Sequence, residues 1–159
     1  MTLYFLIKAL HILSAAILFG TGLGIAFFML RGRFDDHPAA RFFAARTTVL
    51  ADYLFTAPAV LVQPASGVWL ILHGGYRWDE PWLLASYGLY LLAGACWLPV
   101  VWIQIRLKRM AASSFETGLP LPPQFDQLLR IWFFLGWPAF LGLVLVYFLM
   151  VAKPAGLDG

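Results

Sequence analysis

Four apolar runs, each long enough to cross a bilayer, constrain this chain more than any other feature. They lie at about residues 3–30, 49–73, 82–105 and 131–152. A helix needs roughly 20 mostly apolar residues to span the hydrocarbon, where an unpaired backbone N–H or C=O finds no water. Four such helices within 159 residues make one membrane domain, residues 1–159. Composition agrees, with 62% hydrophobic and 12% charged residues, against roughly 45–50% and about 25% in ordinary soluble domains. The expected fold class is all-α, an integral membrane four-helix bundle surrounded by the lipid bilayer. The first run is not read as a cleaved signal: no basic segment precedes it, and it is longer than a signal's apolar core.

Charge sets the expected orientation. Arg31, Arg33, Arg41 and Arg46 lie between the first two runs, and Arg106, Lys108, Arg109 and Arg130 between the last two. The middle connection, "GGYRWDEP", offers only Arg77 beside Asp79 and Glu80. Basic connections stay in the cytoplasm, so both termini and the middle turn are expected outside, N-out and C-out. Tyr76, Trp78 and Trp82 suit an aromatic belt at that outer surface. The formal charge of +3 comes from these topology-setting residues and does not indicate nucleic acid. Cys96 is the only cysteine, which excludes an intramolecular disulfide and a thiolate metal cluster. "TGLPLPPQF" is read as a proline-stiffened part of the second basic loop.

The polar residues inside the runs carry the functional question. At about 100° per residue, His11, Ser14, Ala15, Leu18 and Gly22 share one face of the first span, with Lys8 a turn nearer its outer end. Asp52, Thr56, Gln63 and Ser66 form a stripe on the second span. Pro58 and Pro64 interrupt it, and each frees a carbonyl one turn back. Ser86, Tyr90, Ala93, Trp97 and Gln104 align on the third span, which kinks at Pro99; the fourth carries Pro138. Such stripes face the bundle interior, since lipid cannot satisfy them. At about 1.5 Å per residue, His11 and Tyr90 sit roughly 12 Å from the outer ends and Gln63 roughly 15 Å, with Gly142 level with them. Asp52 is expected to pair with Arg46, Arg106 or Arg130 at the inner edge. Gly20 and Gly24 form a GxxxG pair that admits close helix approach. His37 reads as a solvated loop residue and His73 as an interfacial cap.

Soluble-enzyme chemistry finds no footing. There is no serine–histidine–acid arrangement, zinc-ligand spacing or glycine-rich phosphate loop, and "GTGLG" follows no strand. The three histidines lie apart, which disfavours a multi-histidine metal site. A single histidine can hold haem iron while apolar contacts hold the macrocycle, and His11, flanked by small residues, suits that role.

The pieces "IKALHILSAAILFGTGLG", "DYLFTAPAVLVQPASGVWL", "ACWLPVVWIQIRLK" and "RIWFFLGWPAF…LMVAKP" together cover nearly all of the chain. Through them it resembles a family of small bacterial integral membrane proteins of unknown function. That resemblance implies a multi-pass protein of the bacterial inner membrane. "YFLIKALHILSAAILFGTGL" further resembles the first span of the HemJ-type protoporphyrinogen oxidases, in which a Lys-x-x-His stretch opens a bundle that binds haem b. This implies His11 as a ligand of haem iron, with Lys8 in the lysine position. The likeness is confined to this first span, and no catalytic residue carries over from it.

The resulting expectation is a haem b-binding membrane protein with a redox or electron-transfer role, possessing an oxidoreductase activity if HemJ-like. His11 is its axial ligand, Lys8 faces a propionate, and Ser14 lies in the groove. Gln63 and Tyr90 line the distal side or orient His11. His73 lies about 12 Å shallower than His11 by rise per residue. The second axial position is therefore expected to be empty, weakly filled, or filled by a histidine from another subunit. A homo-oligomer or a membrane redox partner fits this reading. Two other classes stand beside it: a cofactor-free structural or assembly subunit, and a small transporter using the polar stripes as a path.

Overall fold

The computed structural model describes residues 2–154. Its helices are α1 (Thr2–Arg33), α2 (Pro38–Ala51), α3 (Ala57–Gly74), α4 (Pro81–Thr117) and α5 (Pro123–Ala152). A π-helical turn, Asp52–Thr56, joins α2 to α3, so these form one continuous rod. There are thus four rods, each long and apolar enough to cross a membrane, connected up-down-up-down by short turns.

Local chemistry sets the boundaries. Pro38, Pro81 and Pro123 open α2, α4 and α5 at first-turn positions, where a missing N–H costs nothing. Gly75 and Gly118 follow α3 and α4 with φ of 72° and 70°. A side chain would strain that left-handed geometry. The π turn has a proline cause. Pro58 lacks an N–H and its ring crowds the carbonyl one turn back, and the widened turn just before it accommodates both effects.

The basic connections are mostly helical. Only residues 34–37 and 118–122 lie outside helices there. The remaining basic residues sit on helical extensions: the 37-residue α4 is about 55 Å long, against roughly 30 Å of hydrocarbon. These extensions are amphipathic and pack together, as in the stack of Phe42 on Phe115. The main core therefore lies toward this basic end. It includes Met29 of α1, Ala45 of α2, Leu107 of α4, and Leu129 and Trp132 of α5. A smaller cluster at the opposite, aromatic end joins Ile71, Trp82 and Leu83 to Leu149 and Met150.

The two ends are held by different physics. Where rods project beyond the hydrocarbon, water drives apolar burial. Within lipid that drive is absent, and small residues and hydrogen bonds hold the helices together. Accordingly, the buried residues between the clusters include Ser14, Ala59, Ser66, Ser86, Ala93 and Gly142. Large apolar side chains point outward to lipid, with Leu91 71% and Phe134 76% exposed.

Among the described residues of the chain, no helix approaches closely at the Gly20/Gly24 pair. A Cβ at either position would meet nothing within 4 Å. The tight crossing of α1 with α2 is at Gly32, where an added Cβ would lie 2.6 Å from the Ala44 Cβ.

Candidate functional site

His11 projects from α1 against α3, where Gln63, Ser66 and Gly67 receive it. Its Nδ1 lies 2.9 Å from Ser66 Oγ and its Nε2 lies 3.1 Å from the Gln63 side-chain nitrogen. Gly67 meets the ring edge: a Cβ there would be 3.3 Å from His11 Cε1. Ser14, one turn beyond His11 and buried, hydrogen-bonds Gln63 Oε1 and its own helix at His11 O.

Proton bookkeeping fixes the direction of this network. The Ser66 hydroxyl lies 2.6 Å from Val62 O and 3.1 Å from Gln63 O, carbonyls that take its one proton. The Gln63 side-chain nitrogen can only donate, so the facing His11 nitrogen accepts and the ring proton sits on Nδ1, toward Ser66 Oγ. Nε2 then carries the lone pair and accepts from the Gln63 amide N–H, while Gln63 Oε1 accepts from Ser14. The chain runs one way: Ser14 to Gln63 to His11 to Ser66, and from Ser66 to the Val62 and Gln63 carbonyls. In this arrangement His11 is a neutral imidazole whose unprotonated nitrogen faces Gln63.

The stripes read from the sequence point inward. Asp52, Thr56 and Ser66 are buried and Gln63 half-buried on the second rod; Ser86, Ala93 and Gln104 are buried on the third. Tyr90 is brought to the same rod but not to the histidine's nitrogens. Its hydroxyl donates to Val60 O at 2.7 Å, the carbonyl that Pro64, four residues on, leaves without a helical donor. Gly142 sits beside Tyr90's neighbour, with its absent Cβ 3.6 Å from Leu89 O. Lys8 is exposed a turn toward the aromatic end, and no described residue pairs with it. Ser66 and Gly67 are the site's unanticipated members. Ser66 had been placed in the stripe, but which stripe residue reaches His11 depends on the helix phase beyond the π turn.

The remaining histidines lie elsewhere. His73 is exposed, bonds its own helix at Trp69 O (2.9 Å) and stacks on Trp69 with ring centroids 4.0 Å apart. His37 bonds Asp35 in the 34–37 turn. Among the described residues no three histidine, cysteine or carboxylate side chains form a metal-binding group.

The aromatic end is tied by polar contacts. Arg77 makes a two-point pair with Asp79 at 2.6 and 3.0 Å. That guanidinium holds the Asp79 carboxyl below its ordinary range. Lys153 donates to Tyr76 OH at 2.5 Å and lies 4.5 Å from that ring's centroid, fastening the end of α5 to the α3–α4 turn.

Asp52 corrects an expectation. Among the described residues it forms no ion pair with arginine: Arg46 and Arg130 are exposed, and Arg106 lies over the Trp102 ring at 4.7 Å. The long basic side chains reach toward water instead of inward. The buried carboxylate faces Thr56, Gln104 and Trp97.

Neither the curated proteins nor the solved structures contain a match to this chain. A family profile does match, over residues 5–154, nearly the whole sequence. The chain is therefore a multi-pass membrane protein and belongs to the family described as "Predicted integral membrane protein (DUF2269)".

Proposed function

We propose that this protein binds haem b through His11 and serves a redox or electron-transfer role in the bacterial inner membrane. The observation that carries the reading is the contact of His11 Nδ1 with Ser66 Oγ, which leaves Nε2, now facing the Gln63 amide, as the nitrogen that would meet iron in a site flanked by small residues. A metal-ligating histidine characteristically donates its other ring N–H to a fixed acceptor, and Ser66 is that acceptor. The donor chemistry therefore fits haem iron. The coordination position is held by the Gln63 amide, a flexible side chain, so binding requires Gln63 to rotate away. Lys8 would neutralise a propionate at the membrane edge, where a cation offsets the desolvation of a carboxylate. Bound haem would supply one-electron chemistry or, with an open axial position, a diatomic-ligand site. The arginine-rich end would face the cytoplasm, N-out and C-out. A second copy or a membrane redox partner would complete the electron path.

A second reading has its own support. Both ring nitrogens of His11 are satisfied within the chain, as in a histidine that simply ties α1 to α3 in a structural subunit. Absorption spectra of the purified protein supplied with haem, oxidised and dithionite-reduced, separate the two. A Soret band lost in His11→Ala but kept in His73→Ala is the expected result. Loss in both variants makes the protein a bis-histidine cytochrome. No band in the wild type leaves the structural tie.

A further inference from the structure

The second polar cluster, at the π turn, has no role in the haem reading. Asp52 is 3% exposed, Thr48 and Gln104 are 0% and 1%, and Thr56 is 7%. Seven polar atoms here have no hydrogen-bond partner: Thr48 Oγ1, both Asp52 carboxylate oxygens, Thr56 Oγ1, Trp97 Nε1, and both ends of the Gln104 amide. Thr56, Gln104 and Trp97 lie against the Asp52 carboxylate without closing a well-formed hydrogen bond. Thr48 follows one helical turn toward the basic end. The Thr56, Gln104 and Trp97 donors already face that carboxylate, so what stays unbalanced is a buried carboxylate among neutral groups, which marks a place where a proton or a small polar occupant is held.

The chemistry of the lining selects that occupant. A bare metal ion requires acceptors on all sides, whereas two indole and amide groups here present N–H donors beside the carboxylate. Water both gives and accepts, and it needs two to four polar partners, which this lining provides. Charge must also be balanced. Thr56 on the π turn and Gln104 and Trp97 on α4 are uncharged. Of the ionic groups on the packed elements, Arg31 and Arg33 of α1 end that helix, and Arg46 of α2 and Arg130 of α5 are exposed. On α4, Arg106 lies on Trp102, while Lys108 and Arg109 form no ion pair with Asp52. Among the described residues no side-chain cation neutralises Asp52.

We infer that Asp52 is a proton-binding site served by internal water held among Thr48, Thr56, Gln104 and Trp97. In the exchange step the carboxylic O–H bond breaks, the proton passes to the adjacent water, and the carboxylate remains. The reverse step reloads it. This site is separate from His11 and does not depend on haem.

Infrared difference spectroscopy of the full-length protein in lipid nanodiscs, titrated with pH in H2O and D2O, tests the inference. A protonated-carboxyl C=O band is expected that shifts down in D2O, disappears reversibly as pH rises, and is missing in Asp52→Asn. If that variant does not fold, Thr56→Val and Gln104→Leu are expected to move the band's frequency or midpoint. His11→Ala should leave it in place. Absence of a carboxyl band wherever the helices persist would overturn the inference. So would a band indifferent to D2O and pH, or to both lining variants. A band removed at constant pH by sodium but not by choline would make this a metal-cation site and overturn it equally.

Discussion

At His11 the position of one proton decides what the residue can do. Gln63 offers Nε2 only an N–H, and that commits Nε2 as an acceptor and Nδ1 as a donor toward Ser66. Gln63 then has two roles in conflict: it satisfies Nε2 and obstructs a metal there. Gln63→Ala is accordingly expected to lower thermal stability by about 1–3 kcal/mol, since the part-buried His11 and Ser14 lose their shared partner. The same variant should take up haem more tightly in a spectrophotometric titration. Weaker uptake would mean that Gln63 assists the ligand instead of competing with it. That His11 and Gln63 would share a level was legible from rise per residue alone. Ser66's direct bond was not, because the π turn alters the angular phase on which any face assignment rests. Asp52's expected arginine failed for another reason: sequence proximity says nothing of which way a long side chain reaches.

At the scale of elements, proline and its repair explain the second rod. Pro64 removes the donor for Val60 O, and Tyr90 of α4 supplies it from the neighbouring helix. Tyr90→Phe should cost about 0.5–1.5 kcal/mol in a reversible unfolding assay. Pro64→Ala restores the helical N–H, so it should rescue much of that loss; a double-mutant cycle with no coupling would contradict the repair. The sequence disclosed that a carbonyl was freed but not which helix would answer it. The four spans were likewise legible, since nothing but a helix satisfies backbone groups in lipid. The helical continuations past the hydrocarbon were not, because hydropathy loses its signal where α2, α4 and α5 become amphipathic. Proline at the openings of α2, α4 and α5 and glycine after α3 and α4 mark the short turns in the structure.

The whole molecule has a well-packed basic end and a middle joined through small residues and two polar clusters. Its polarity of charge predicts orientation. In a Cys96→Ser background, Asp79→Cys should react with a membrane-impermeant thiol reagent in intact cells, while Ser113→Cys should react only after lysis; the opposite pattern reverses the topology. At the aromatic end the Arg77–Asp79 pair is fully exposed, and Arg77→Ala is expected to leave the melting temperature nearly unchanged at neutral pH. Because the Asp79 carboxyl is held low, whatever the pair contributes is present above the ordinary aspartate range and fades only as pH falls through the lowered value.

The most direct test of the account is a haem titration of the purified apo-protein, read at the Soret band beside circular dichroism. The predicted result is a saturable endpoint of one haem per chain in the wild type and none in His11→Ala, with both retaining full helical content. A helical wild type that takes up no haem, or a His11→Ala protein that titrates like it, would contradict the assignment of His11 as the iron ligand.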